Sequence, residues 1–235
     1  MKHHLGRRHL LKLMGITGIG AFSGLFGNAS SVLASTKNMS ADDALNRLLE
    51  GNHRFTQQQS EYPHQGLKRL QEVAYTQHPY ATILSCADSR VPAEIIFDVG
   101  IGDLFDIRVA GNIVTPEVLG SIEYAVLQLN TPLILVLGHE RCGAITAAVK
   151  GGKLPGSIGT LVAAIRPGID LAEGTSDASI EKAVVANVAY QMKAVKRNSP
   201  LIAEQVLQNK LKIVGGRYDL DSGKVEIIEV KYKNL

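Results

Sequence analysis

Leu133-Ile134-Leu135-Val136-Leu137 is an unbroken apolar run that stops at Gly138 and leads directly into His139-Glu140-Arg141-Cys142. No position in it is polar, so neither face of the extended segment would meet water, and the run predicts a strand of a parallel sheet covered on both sides. Working outward, Tyr80-Ala81-Thr82-Ile83-Leu84-Ser85 is a second short apolar run, partly β-branched, and it ends at Cys86. Leu104 to Val109 is a third, introduced by the turn Gly100-Ile101-Gly102-Asp103. Helical spacing appears from Ala41 to Phe55 behind Ser40 as N-cap, from Leu67 to Gln77, and from Glu117 to Leu129 behind Pro116. It returns from Ile158 to Ile169, Ala178 to Arg197 and Pro200 to Asn209. Leu211 to Gly216 and Lys224 to Val230 read as strands joined through the hairpin turn Asp219-Leu220-Asp221-Ser222-Gly223, and Gly151 to Gly159 reads as a loop. This alternation predicts one α/β domain over residues 35–235: a mainly parallel β-sheet flanked by helices, with a C-terminal antiparallel strand and an N-terminal helical arm.

The first 34 residues differ from the rest. Lys2, Arg7, Arg8 and Lys12 are basic, no acid occurs, and an apolar, Gly-rich run from Leu13 to Leu33 follows, the pattern of an export signal. Gly6-Arg7-Arg8-His9-Leu10-Leu11-Lys12 resembles a twin-arginine signal, which implies a periplasmic or equivalent compartment after cleavage behind Ala34. The alternative is an uncleaved N-terminal anchor, because the apolar run approaches the roughly 20 residues that span a bilayer. The segment carries four of the 25 basic residues and none of the 22 acids, leaving 21 against 22 and a net charge of −1. With no basic stripe, nucleic-acid binding is excluded as an expectation. Two cysteines in an oxidising compartment would ordinarily suggest a disulfide, but the neighbours of Cys86 and Cys142 suggest other chemistry.

In an open parallel sheet, ligands gather beyond the carboxyl ends of the strands. Cys86 follows one strand and His139 another, while Cys142 lies three residues beyond His139, where one turn can aim both side chains at one point. Thiolate and imidazole are good zinc ligands, and two thiolates offset the charge of a divalent ion. Asp88 either completes the tetrahedron or turns away to pair with Arg90 and leaves a position for water. An open position separates catalytic from structural zinc. The plainer readings are buried thiols, a satisfied core histidine and a structural Asp–Arg pair. His53, His64 and His78 read as surface or loop histidines, and the Gly-rich stretches lack a phosphate-binding pattern.

Cys86-Ala87-Asp88-Ser89-Arg90-Val91-Pro92, followed by Gly138-His139-Glu140-Arg141-Cys142-Gly143-Ala144, resembles the two signature segments of the β-class carbonic anhydrases. The likeness runs over roughly Ala41 to Val230 and includes the Tyr218-Asp219 hairpin. It implies Zn2+ on Cys86, His139 and Cys142, with Asp88 and Arg90 as a gatekeeping pair and Asp88 as a fourth ligand in a closed state. It implies further a substrate pocket of Gln77, Phe105, Tyr124 and Gly143, reversible hydration of carbon dioxide to bicarbonate and a proton, and a homodimer or multiple of dimers wrapped by the N-terminal arm. Two positions depart from the pattern: Ala110 stands where many relatives carry valine, and Glu140-Arg141 brings two charges beside the site. The chain has no tryptophan, which some members use in a second bicarbonate site. The rival expectations are action on carbonyl sulfide or carbon disulfide, a silent zinc-stabilised assembly module, and a thiol-redox role that lacks its Cys-x-x-Cys pair.

Overall fold

A computed structural model describes residues 39–152, 154–170 and 180–228. The expected export segment, residues 178–179 and the end of the last strand lie outside them. Strands β1 (Ala81–Ser85), β2 (Leu104–Arg108), β3 (Leu133–His139), β4 (Lys212–Tyr218) and β5 (Val225–Ile228) form one sheet in the order β2-β1-β3-β4-β5. Every pair is parallel except β4 with β5. The two runs without a polar face, β1 and β3, take central places and are buried throughout, as continuous apolar strands require. β2, at one edge, is only half-buried.

Side-chain alternation divides the core between the two faces. Ile83, Leu135 and Leu137 pack with Ala44 and Leu48 of α1 (Ala41–Thr56) and with Ile96 and Phe97 at the end of α3 (Ala93–Ile96). On the other face Leu84, Ile134 and Val136 meet Ile122 of α4 (Pro116–Leu127), Val188 and Val195 of α7 (Ile180–Asn198), and Ile202 of α8 (Pro200–Leu207). The expected caps form: Ser40 Oγ accepts the Asp43 N–H at 3.1 Å, and Thr115 caps α4 ahead of Pro116. At Gly51 a Cβ would lie 1.8 Å from the Phe97 carbonyl oxygen, so only glycine lets α1 approach this closely. The next residue, Asn52, donates to the carbonyls of Ile96 and Gly223 and accepts the Val225 N–H, stitching α1 to the β4–β5 hairpin.

The reading of the helices needs correction. The helix read over Leu67 to Gln77 is only α2 (Leu67–Val73), which buries no residue and has no side-chain cap; without packing, propensity does not extend so short a helix. Two helices went unread, α3 and α5 (Gly143–Lys150), because one or two turns are too few to show a period. The N-terminal α1 docks on its own sheet through Ala44 and Leu48. The stretch from Gln57 to His78 is peripheral. It is tied down by Asp98, which accepts from Arg54 and from the Glu61 and Tyr62 amides, and by Asp103, which pairs with His64 at 2.8 Å. The sixth helix, α6 (Ile158–Asp170), packs against α5 and α7. None of the described helices is long and apolar enough to cross a membrane.

Candidate active site

β1 and β3 are neighbours in register, with Ser85 opposite Leu137, so Cys86 and His139 emerge side by side at the carboxyl edge. Cys142 joins them as the residue capping α5, after a tight turn in which Arg141 takes φ of +51°. Such a conformation is unfavourable for a non-glycine residue. Here two hydrogen bonds from Arg141 to Asp221, at 2.7 and 3.0 Å, anchor the side chain. Glu140 donates its N–H to the Tyr218 carbonyl, and its carboxylate pairs with Arg217 and accepts the Leu220 N–H. Glu140-Arg141 thus brings two charges beside the site, as expected, and both are partnered by the β4–β5 hairpin.

The two sulfurs lie 4.0 Å apart, far beyond the roughly 2.0 Å of a disulfide. They are close to the separation of about 3.8 Å that two sulfurs at about 2.3 Å from a tetrahedral zinc would have. His139 is fully buried; Nδ1–H donates to the Glu140 carbonyl at 2.8 Å, a bond that leaves the Nε2 lone pair free. Nε2 is buried without a protein partner, an arrangement that is costly unless something else meets it. The three ligand atoms lie within 4.8 Å of one another. A hydrogen bond from Cys142 is the largest influence drawing Cys86 down to about 4, with His139 and the Gly111 and Asp88 backbones assisting against burial. That same bond to Cys86, followed by burial, pushes Cys142 up. The pair thus holds one negative charge easily and resists a second, unless a cation shares both.

Asp88 is turned toward Arg90, accepting Nε–H at 2.9 Å, Nη2–H at 2.8 Å and the Arg90 backbone N–H at 3.0 Å. Hydrogen bonding from Arg90 holds its carboxyl below the usual carboxylate range. Asp88 Oδ2 nevertheless stays 3.9 Å from His139 Nε2, at the border of the cluster. Of the two orientations open from sequence, this structure has the one paired with arginine.

Gly143 opens α5, and a Cβ there would meet nothing within 4 Å, so free space adjoins the helix start beside Cys142. The other expected pocket residues are not brought to the cluster within one chain. Phe105 and Tyr124 face each other at 6.1 Å between centroids. Phe105 sits opposite Thr82, three rungs before the Ser85–Arg108 rung that adjoins Cys86. Gln77 is exposed in the segment entering the amino end of β1, and Ala110 is a half-buried turn residue.

Two contributors were not recognised in the sequence. Arg108 donates to the carbonyls of Cys86 and Asp88 at 3.1 and 2.6 Å, fixing the loop between them, and the Gly111 N–H reaches Cys86 Sγ at 3.4 Å. A cation ending the strand beside the cysteine-bearing one was the available signal for Arg108.

Asp106, on the same strand, is pushed up to about 6 by burial and then by the Glu94 carboxylate. The folded chain therefore holds this proton more tightly than the unfolded one. The resulting stability is fully present below the ordinary value near 3.8 and is lost as pH rises through about 6. Asp106→Asn is expected to be more stable than the parent by on the order of 1–2 kcal/mol at about pH 7.5, after allowing for partial exposure, with the gain vanishing near about pH 4. Thermal melts across that range check it; a gain independent of pH would overturn it.

Fold and site together define an α/β protein that presents a Cys-His-Cys cluster compatible with a metal ion at the carboxyl edge of a parallel sheet. A family profile described as carbonic anhydrase matches residues 81–225. The chain is 41% identical over 181 residues to carbonic anhydrase 2 of Mycobacterium tuberculosis, covering 75% of this chain and 87% of that protein. It is 39% identical over 184 residues to the carbonic anhydrase of Mycolicibacterium smegmatis, covering 77% and 89%. Among solved structures, it is similar to the Coccomyxa β-carbonic anhydrase in complex with acetazolamide, with a TM-score of 0.63, 27% identity and coverage of 78% and 86%. It is likewise similar to a tetrameric β-carbonic anhydrase of Sordaria macrospora, with a TM-score of 0.63, 26% identity and coverage of 80% and 98%. The chain belongs to the carbonic anhydrase family, in its β class, and is an enzyme of that kind.

Proposed function

We propose that this chain hydrates carbon dioxide reversibly with zinc held by Cys86, His139 and Cys142. The observation that carries the reading is the buried, unpartnered Nε2 of His139, grouped with two sulfurs too far apart to be bonded to each other. When bound, zinc acts as a Lewis acid that makes water a strong nucleophile near neutral pH. The other roles fall to the chain. Asp88, already accepting from Arg90, can only accept; its Oδ2, the oxygen near His139, would accept a hydrogen bond from the attacking oxygen, which keeps its hydrogen, and so orient its lone pair toward carbon dioxide. Arg90 keeps Asp88 ionised and off the metal. The Gly143 N–H, at the start of α5 where helical N–H groups have no partner within the helix, is offered to a substrate oxygen in the open space beside it.

Gln77, Phe105 and Tyr124 form the pocket wall in this reading, and because they stand away from the cluster of their own chain, a second copy supplies them. The open edge of β2 and the exposed Leu67, Leu70, Tyr75 and Tyr124 suit such a homodimer or multiple of dimers. Nothing in the geometry favours carbonyl sulfide or carbon disulfide. A purely structural ion is disfavoured by the engagement of Asp88 with Arg90. Export by the twin-arginine route is also part of the proposal, and N-terminal sequencing of the processed chain tests it.

The function is tested by stopped-flow hydration of carbon dioxide with metal analysis of the same sample. About one zinc ion per chain is expected, with turnover lost on chelation and restored by zinc. Metal-free protein with full turnover, or zinc-loaded protein with none across mildly alkaline pH, would sink the proposal.

A further inference from the structure

α7 carries two fully buried amides, Asn187 and Gln191, one turn apart on its inner face. Their surroundings are apolar: Val184 and Val188 on the same helix, and Ile165 nearby on α6. Burying polar groups in such a place is unfavourable unless every hydrogen bond is made, and apolar side chains would fill it at less cost. What these amides hold is the loop between β2 and α4. Asn187 Nδ2 donates to the Gly111 carbonyl at 2.9 Å, and Gln191 Oε1 accepts the Val114 N–H at 2.9 Å. Gln191 Nε2 donates to Asn187 Oδ1 at 3.0 Å and to the Ala164 carbonyl at 3.3 Å. The Val114 N–H can only donate, so it fixes which end of Gln191 is oxygen. Gln191 in turn fixes Asn187 with its amine toward the loop.

The held residue has no freedom of its own. Gly111 has φ of +76°, and a Cβ would lie 2.6 Å from Ile165 Cδ1, so no other side chain fits without displacement. Its N–H is the one that reaches Cys86 Sγ. We propose that Asn187, oriented by Gln191, is a positioning residue for the Cys86 sulfur: from the opposite side of the loop, the helix sets where the Gly111 N–H meets that sulfur. A donor so placed directs the sulfur lone pairs and draws off part of the thiolate charge, as outer partners of metal ligands do. The inference rests on the reading of Cys86 as a zinc ligand.

The test uses the full zinc-loaded chain and the variants Asn187→Leu, which keeps the branched outline and removes the donor, and Gln191→Met, which removes the residue orienting it. Two readouts apply: the rate at which zinc passes to an excess of chelator, and the thiolate-to-metal charge-transfer band after cobalt replaces zinc. Asn187→Leu is expected to release zinc about tenfold faster or more and to shift the band, with Gln191→Met moving both in the same direction by less. A purely structural role would lower the melting temperature and leave the folded protein's zinc release and cobalt band unchanged, which overturns the proposal. Should Asn187→Leu fail to fold, Gln191→Met decides on the same two readouts. A parent protein that binds no zinc overturns the functional reading and this inference together, whereas a zinc-loaded parent with unchanged variants overturns this inference alone.

Discussion

Cys142→Ser is expected to yield a folded protein that retains no zinc after purification and hydrates carbon dioxide about a thousandfold more slowly or worse. The side chain is buried at the start of α5, with its sulfur 4.0 Å from that of Cys86. A serine hydroxyl does not ionise near neutral pH, so the substitution removes one of two anionic ligands and leaves Cys86 and His139, too few for tight tetrahedral binding. The fold should survive, because the core around Ile145, Ala148 and Ile165 is apolar and loses only the bulk of one sulfur. Burying the hydroxyl costs about 1–3 kcal/mol. Zinc content, circular dichroism and turnover measured on one preparation separate ligand loss from unfolding. Full zinc occupancy with normal turnover would remove Cys142 from the site.

Asp88→Asn is expected to behave oppositely in metal content and similarly in rate: zinc retained, hydration lowered by about a hundredfold or more. Asp88 is held off the cluster by Arg90, so the metal does not need it in this conformation. Asparagine keeps the shape and one acceptor: with its oxygen accepting the Arg90 Nε–H and backbone N–H it presents an amine where the reaction needs an acceptor, and the reverse orientation sets that amine against both Arg90 donors. Unaltered turnover would take Asp88 out of the mechanism. Loss of zinc would make it a ligand instead.

The strands carrying the site were legible because burial on both faces leaves a one-dimensional trace. Leu133 to Leu137 has no polar position, and the observed β3 is buried from end to end. The candidate ligand residues were legible because thiol and imidazole types stand at or just beyond the carboxyl ends of such strands. Gln77, Phe105 and Tyr124 were named from resemblance, and a single chain leaves them apart from the cluster: Phe105 lies on the edge strand, Tyr124 on α4 and Gln77 in the peripheral stretch before β1. Glu140 and Arg141 were read as two charges beside the site, and their partners were not legible. Adjacency to His139 and Cys142 in sequence says nothing of a partner 80 residues later, and Leu220 and Asp221 are those partners.

Residue types and their order along the chain therefore determined the sheet, its parallel centre and the three candidate ligands, because alternation and the exit of each strand are local properties. The tertiary structure alone decided that Asp88 leans on Arg90, that His139 Nε2 has no protein partner, and that Asn187 and Gln191 on α7 hold the loop behind Cys86. The first is a choice between two orientations open to neighbours two residues apart, and the loop contacts are questions of which polar atom meets which across 25 to 80 positions. Orientation and hydrogen-bond partnership arise only when distant segments close on one another, and no local pattern records them.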